Sequence, residues 1–274
     1  MAIKIIFLDQ DGTLLDSNKQ FSAVNRAALE KAAERGIHIV PCTGRYFQGI
    51  TKEVRELSFV RYAVAVNGAQ VYDRERDAVL YRCEIPREEA LATYDLIQEL
   101  PALFDCVIGG QAYMSRSHYE RIEEFVADPG FRKAVQTLRK PVEDLLDFVR
   151  RQEQDVQKIS LFFKDMQQRE RAWQELAEKL PNMVVTSSIS SNLEINAKGA
   201  TKGEGLRFLC RHLGLEISES MAFGDGSNDR SMIEAAGIGV VMDNGDPDLK
   251  AVADYVTDTN DNDGVAKAIE RFCF

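Results

Sequence analysis

Carboxylates flanked by glycine recur in this chain directly after short apolar runs, and such positions are where chemistry is expected. Asp9-Gln10-Asp11-Gly12-Thr13 follows residues 3–8, apolar apart from Lys4. In an extended strand Asp9 and Asp11 project to the same side. Two negative charges therefore stand together, and Gly12 lets the backbone turn with its amides free to face a ligand. Such a pair persists at low cost when a divalent cation sits between its members, and ligation by oxygen alone favours magnesium. Gly224-Asp225-Gly226-Ser227-Asn228-Asp229 follows another apolar run, residues 221–223, and could complete the oxygen shell of such an ion. It lacks the twelve-position pattern of an EF-hand. Asp229 also suits the first turn of a helix, a purely structural use that leaves Asp225 unexplained. Thr43-Gly44-Arg45 brings a hydroxyl and free amides near a helix start, the make-up of an anion site, although a Thr there can equally be a helix cap. Lys202, in Lys198-Gly199-Ala200-Thr201-Lys202-Gly203, precedes the helix-periodic residues 206–213, with Lys198 as the competing cation.

These groups need elements to hold them. Residues 3–8, with Lys4 the one polar member and 5–8 continuously apolar, form a run of the kind that makes a buried central strand. Apolar residues then recur at helical spacing over 22–35, with Gly36 as the stop. A strand over 37–40, a helix over 46–57 and a strand over 63–66 continue the rhythm, which predicts a parallel sheet with helices on both faces. The far end repeats it, with strands over 221–223, 238–242 and 255–256 and helices over 228–236, 246–253 and 264–271. The middle differs. A helix over 87–100 leads to strands 105–108 and 111–114 around Gly109-Gly110, a hairpin signal. A strand over 156–164, a helix over 167–180 carrying Trp173, and a strand over 183–186 follow. The fold class expected is α/β: a Rossmann-like parallel-sheet core, residues 1–82 and 189–274, interrupted by an inserted α+β domain, residues 83–188.

Lys and Arg number 34 against 44 Asp and Glu, a formal net charge of −10. That balance speaks against nucleic acid or an anionic membrane as the main partner, and an anionic substrate has to be recruited locally. The five cysteines, at 42, 83, 106, 210 and 273, contain no C-x-x-C pair. They suggest neither a disulfide framework nor a zinc ribbon, and a reducing, cytoplasmic setting fits them best. The apolar residues 5–8 are too short a run for a signal peptide, and no run reaches the roughly 18 residues of a membrane span. The expected protein is a monomer or weak homodimer.

In order and context, Asp9-Gln10-Asp11-Gly12-Thr13, Thr43-Gly44-Arg45, Lys202 and Gly224-Asp225-Gly226-Ser227-Asn228-Asp229 resemble the four motifs of the haloacid dehalogenase superfamily. Asn67-Gly68-Ala69, the insertion between the second and third motifs, and Asn262-Asp263-Gly264-Val265-Ala266 resemble its Cof-type branch, which carries a large α+β cap. The resemblance covers essentially the whole chain. It implies that Asp9 is a nucleophile forming an aspartyl-phosphate, and that Asp11 protonates the leaving oxygen and then activates water. Mg2+ is implied to be held by the Asp9 carboxylate, the Asp11 backbone carbonyl and Asp225, with Asn228 and Asp229 in supporting positions. Thr43 and Lys202 are implied to grip the phosphoryl oxygens, and Gly44, Arg45, Asn67 and Gly68 to line the substrate.

The implied activity is magnesium-dependent hydrolysis of small phosphorylated metabolites, with sugar phosphates the leading class. A phosphotransferase or phosphomutase begins with the same intermediate, and a non-catalytic phosphometabolite-binding protein would keep the pocket. The presence of both Asp9 and Asp11 speaks against the latter, and Asp11 favours phosphate over carbon–halogen chemistry. Two positions depart from the branch: Gln10, where an apolar residue is usual, and Met242-Asp243-Asn244-Gly245, where a Gly-Asn-Ala-like stretch is more typical.

Overall fold

Strand Ile5–Leu8 is buried throughout, and its alternating side chains serve two cores. Ile6 and Leu8 pack with Ile39, Met221, Phe223 and Val240 beneath helices Ala23–Glu34 and Gly264–Cys273. Ile5 and Phe7 pack on the opposite face with Val40, Ala222 and Val241 against helices Lys202–Leu213 and Arg230–Ala235. A strand sandwiched in this way has no polar face, which is why its sequence is apolar without alternation. The computed structural model, which describes residues 2–126 and 129–274, makes it the fourth strand of a five-stranded parallel sheet. The order is Tyr255–Val256, Ile238–Val241, Ser220–Gly224, Ile5–Leu8, His38–Pro41. Ile5 is in register with Ser220 on one side and His38 on the other, so motifs far apart in sequence end at one sheet edge. The α/β class with a parallel-sheet core is as expected.

Two details of the core differ from expectation. The single helix over 46–57 is instead a 3-10 turn, Phe47–Gly49, and a short helix, Lys52–Arg55. Between them Ile50 and Thr51 are extended, and the Thr51 amide donates to Gln10 Oε1 at 3.2 Å in place of a helical carbonyl. The strand near 63–66 is Tyr62–Ala65, and it joins an antiparallel sheet with Gln70–Asp73 and Ala78–Arg82. Its link to the parallel sheet is one bridge, Cys42 to Val64. The antiparallel pairing with Gln70–Asp73 follows from the turn between the two strands: Val66, Asn67 and Gly68 all have positive φ, reversing the chain at once where a helical crossover would have kept the next strand parallel.

The chain divides into two compact units, residues 1–82 with 201–274, and residues 83–200. The second is built on a six-stranded sheet in the order Met183–Thr186, Asn192–Ala197, Lys158–Phe163, Ala102–Ile108, Gln111–Ser115, Arg139–Val142. One face packs against helices Arg87–Ile97, Leu145–Arg150 and Met166–Lys179. The return expected at residue 189 comes at 201, because Asn192–Ala197 pairs antiparallel with both Met183–Thr186 and Lys158–Phe163. The Gly109-Gly110 hairpin is present, both glycines having positive φ. On this sheet's other face lie two ion pairs, Lys158 to Glu194 at 2.7 Å, which is buried, and Arg139 to Asp105 at 2.5 Å, which is partly so. Among the described residues no helix is long and apolar enough to cross a membrane.

Candidate active site

Asp9 lies one residue beyond the central strand, its amide donating to the Phe223 carbonyl at 3.0 Å. That bond extends the pairing of the two neighbouring strands and brings the carboxylate beside the loop that follows Ser220–Gly224. Asp9, Asp225 and Asp229 then offer oxygens that all lie within 4.8 Å of one another. Lys202 enters the same cluster from the first turn of its helix, whose start is capped by Thr201 Oγ1 accepting from the Glu204 amide. The Lys202 ammonium is fully buried and donates to Asp9 Oδ1 at 2.6 Å and to Asp229 Oδ1 at 2.5 Å. Lys198, the competing cation, belongs to the second unit and donates to the Pro181 carbonyl.

The remaining oxygens decide what each carboxylate can do. Asp229 Oδ2 accepts from the amides of Asp225 and Gly226, both at 2.9 Å, so both of its oxygens are committed to holding the loop and Lys202. Asp225 is held by Thr13, whose hydroxyl donates to Oδ1 at 2.7 Å. The turn carrying Thr13 passes so close that a Cβ at Gly12, where φ is +85°, would stand 2.3 Å from Asp225 Oδ2. Gly68 serves the other side: a Cβ there would meet the Thr201 carbonyl at 2.0 Å, so glycine admits the helix start that carries Lys202.

Three carboxylates against one ammonium leave a buried excess of two negative charges. Burial pushes the Asp9 carboxyl well above the ordinary range; Lys202 opposes this, while Asp229 and Asp225 add to it. Burial and then Asp229 push Asp225 up to about 7. Burial works against the Lys202 charge, but Asp229 and Asp9 outweigh it and hold the ammonium protonated. The donor set is oxygen alone and its charge deficit is that of one divalent ion, so these residues fit a hard cation such as Mg2+.

Asp11 stands apart from this group. Its carboxylate receives Arg45 through two parallel hydrogen bonds, Nε to Oδ2 and Nη2 to Oδ1, both 2.8 Å. Lys19 Nζ adds a third contact to Oδ1 at 3.0 Å. Burial alone would raise the Asp11 carboxyl, yet Arg45 and then Lys19 hold it below the ordinary value. Arg45 is itself braced by the Gly49 carbonyl at 3.1 Å.

Thr43 is buried at the end of its strand, its amide donating to the Val64 carbonyl and its hydroxyl accepting from the Arg45 amide at 3.2 Å. Gly44 occupies the turn between them. Asn67, with φ +56°, donates its amide to the Thr43 carbonyl and accepts from Asn228 Nδ2 at 3.2 Å, tying the second motif to the fourth. Both departures from the family pattern have a use. Gln10 pins Thr51, and Asn244 donates to the Gly12 carbonyl at 2.8 Å while accepting from the Asn260 amide at 2.9 Å. The sequence reading missed Thr13, Asn244 and Lys19 as site residues; Thr13 sits inside a quoted motif and Asn244 inside a quoted departure, whereas nothing in its neighbours marks Lys19.

A family model of haloacid dehalogenase-like hydrolases matches residues 6–269. The chain is 31% identical to Phosphatase YwpJ of Bacillus subtilis, over 98% of this chain and 99% of that one. It is 30% identical to the 5-amino-6-(5-phospho-D-ribitylamino)uracil phosphatase YcsE of the same organism, over 98% and 96%. Among solved structures it resembles the subclass IIB sugar phosphatase BT4131, with a TM-score of 0.84 and 27% identity over 98% of each chain.

Proposed function

Since the chain belongs to the haloacid dehalogenase superfamily as a Cof-type phosphoric monoester hydrolase, we propose that it is a magnesium-dependent phosphatase of small phosphorylated metabolites, sugar phosphates foremost, acting through an aspartyl-phosphate. The observation that carries this reading is the meeting of Asp9, Asp225 and Asp229 around the buried Lys202 ammonium.

In this mechanism an Asp9 oxygen attacks the phosphorus and the ester P–O bond breaks. Asp11 gives its proton to the departing alkoxide. Water then attacks the aspartyl-phosphate, Asp11 takes the proton, and inorganic phosphate leaves with Asp9 restored. Lys202 and the Thr43 hydroxyl neutralise charge spreading over the phosphoryl oxygens. Asp9, the Asp11 carbonyl and Asp225 would hold Mg2+, with Asp229 and Asn228 steadying the loop. Bound magnesium supplies the positive charge that offsets repulsion between a carboxylate nucleophile and an anionic ester. Asp11, ionised by Arg45 and Lys19 in the free protein, is in the form needed for the hydrolytic step. For the first step it must gain a proton, so the substrate has to loosen those pairs. Gly44, Arg45, Asn67 and Gly68 line the substrate in this reading, the second unit acts as the cap, and a cytoplasmic setting agrees with the free thiols of all five cysteines.

The test is phosphate release from a panel of sugar, nucleotide and vitamin phosphates with Mg2+ supplied. Release into water as sole acceptor supports the reading. Transfer of labelled phosphate to a second sugar would make the protein a phosphotransferase, and silence across the panel would refute catalysis.

A further inference from the structure

Lys19 has no part in the motifs and no contact with the reacting phosphate in the mechanism above, yet the fold holds it against Asp11. Lys19 has φ +62°, a left-handed backbone region that a side-chain-bearing residue keeps only where the surroundings enforce it. Here they do. Asp16 accepts from the amides of Asn18 and Gln20 at 2.8 and 2.7 Å, and the Lys19 amide donates to the Asp16 carbonyl at 2.9 Å. The whole turn is tied down by Ser17, whose amide and hydroxyl each donate to Asp261 at 2.7 Å. The result is a lysine side chain, 44% exposed, whose ammonium is set 3.0 Å from Asp11 Oδ1 although Arg45 already satisfies that carboxylate through both its oxygens.

At the Asp11 carboxylate itself two cations meet one anion, the reverse of the Asp9 cluster, while the turn's other carboxylates, Asp16 and Asp261, are engaged by backbone amides and by Ser17. Asp11 must face the leaving oxygen, so whatever stands against its carboxylate stands beside the leaving group. A neutral sugar has no use for a surplus cation there. We propose that Lys19, with Arg45, forms a second anion subsite, and that the preferred substrates carry a further negative group, a carboxylate or a second phosphate, on the leaving alcohol. The substrate's own anion then supplies what loosens the pairs on Asp11. This inference rests on the phosphatase reading and deepens it.

The experiment compares kcat/KM for esters that differ in that one group: 3-phosphoglycerate against glycerol 3-phosphate, 6-phosphogluconate against glucitol 6-phosphate, and fructose 1,6-bisphosphate against fructose 6-phosphate, with p-nitrophenyl phosphate as the reference. The native enzyme is expected to favour the more anionic member by about tenfold or more, and that ratio should fall about tenfold in Lys19→Met, return in Lys19→Arg and shrink with added salt. The first two pairs read carboxylates and the third a second phosphate, so the favoured pair names the group. Lys19→Gly removes the charge while suiting the backbone, and should reproduce Lys19→Met. Native ratios near one, or ratios that Lys19→Met and Lys19→Gly leave unchanged, overturn the subsite while leaving the phosphatase reading standing. No hydrolysis of any ester, the reference included, brings down the phosphatase reading and this inference with it.

Discussion

Asp9 and Asp11 are the same residue type two positions apart, and their surroundings drive them in opposite directions. Asp9 shares one ammonium with Asp225 and Asp229 in a buried cluster where desolvation dominates, and its carboxyl is pushed up. Asp11 has two cations to itself in a half-exposed position, and its carboxyl is held down. The lesson is that pairing decides where cations outnumber carboxylates, and burial decides where they do not. The deep cluster is short of positive charge and the outer one has a surplus, which is the polarity expected of a site taking a cation on one side and an anion on the other.

The comparison breaks most visibly at Asp9. Asp9→Asn keeps the shape and removes the proposed nucleophile, so steady-state turnover should drop by about 10⁴-fold or more, and near-native activity would remove Asp9 from the mechanism. Next comes Lys202→Met. It strips the one counterion from a buried carboxylate cluster, a change that typically costs about 3–5 kcal/mol. Denaturant titration should register that loss, and added Mg2+ should recover part of it; unaltered stability would mean the cluster is wetter than its burial suggests.

A titration sharpens the contrast. Asp225 is raised from the ordinary 3.8 to about 7, so the folded, metal-free protein holds that proton more tightly than the unfolded chain does. Stability contributed in this way is lost as pH rises across that window, and Asp9 acts in the same sense. Asp11, held below the ordinary value, contributes stability that disappears only at more acidic pH. Thermal unfolding in chelator should therefore show Tm falling between about pH 5 and pH 7. Mg2+ competes with the same protons and should bind more tightly over that interval, flattening the curve. A Tm that rises with pH in chelator would contradict the assignment. At the small end, the exposed Lys179 to Glu175 pair on the helix Met166–Lys179 should matter little. Lys179→Ala is expected to change unfolding free energy by less than about 0.5 kcal/mol, a baseline for the effects above.

Much of this was legible from residue order. Uniformly apolar runs ending in Asp9 and Gly224 announced parallel strands, because only a strand covered on both faces loses its alternation. The paired motifs announced the carboxylate cluster. What stayed hidden was long-range or conformational. Asn192–Ala197 reads as a mixed polar strand whose membership in the second sheet depends on partners elsewhere. The reversal at Val66 and Asn67 places ordinary side chains at positive φ, against local preference. Lys19 is an unremarkable lysine until Ser17 and Asp261, far apart in the chain, fix the turn that aims it.

The pairing of Ile5 with Ser220 also sets a timetable for synthesis. The strand that leads into Asp9 is made long before Ser220–Gly224, the neighbour that completes its pairing. Until then the amino-terminal segment lacks half its sheet contacts and offers an unsatisfied, strongly apolar edge. A nascent chain stopped before Ser220 therefore cannot assemble the cluster of Asp9, Asp225 and Asp229 at all.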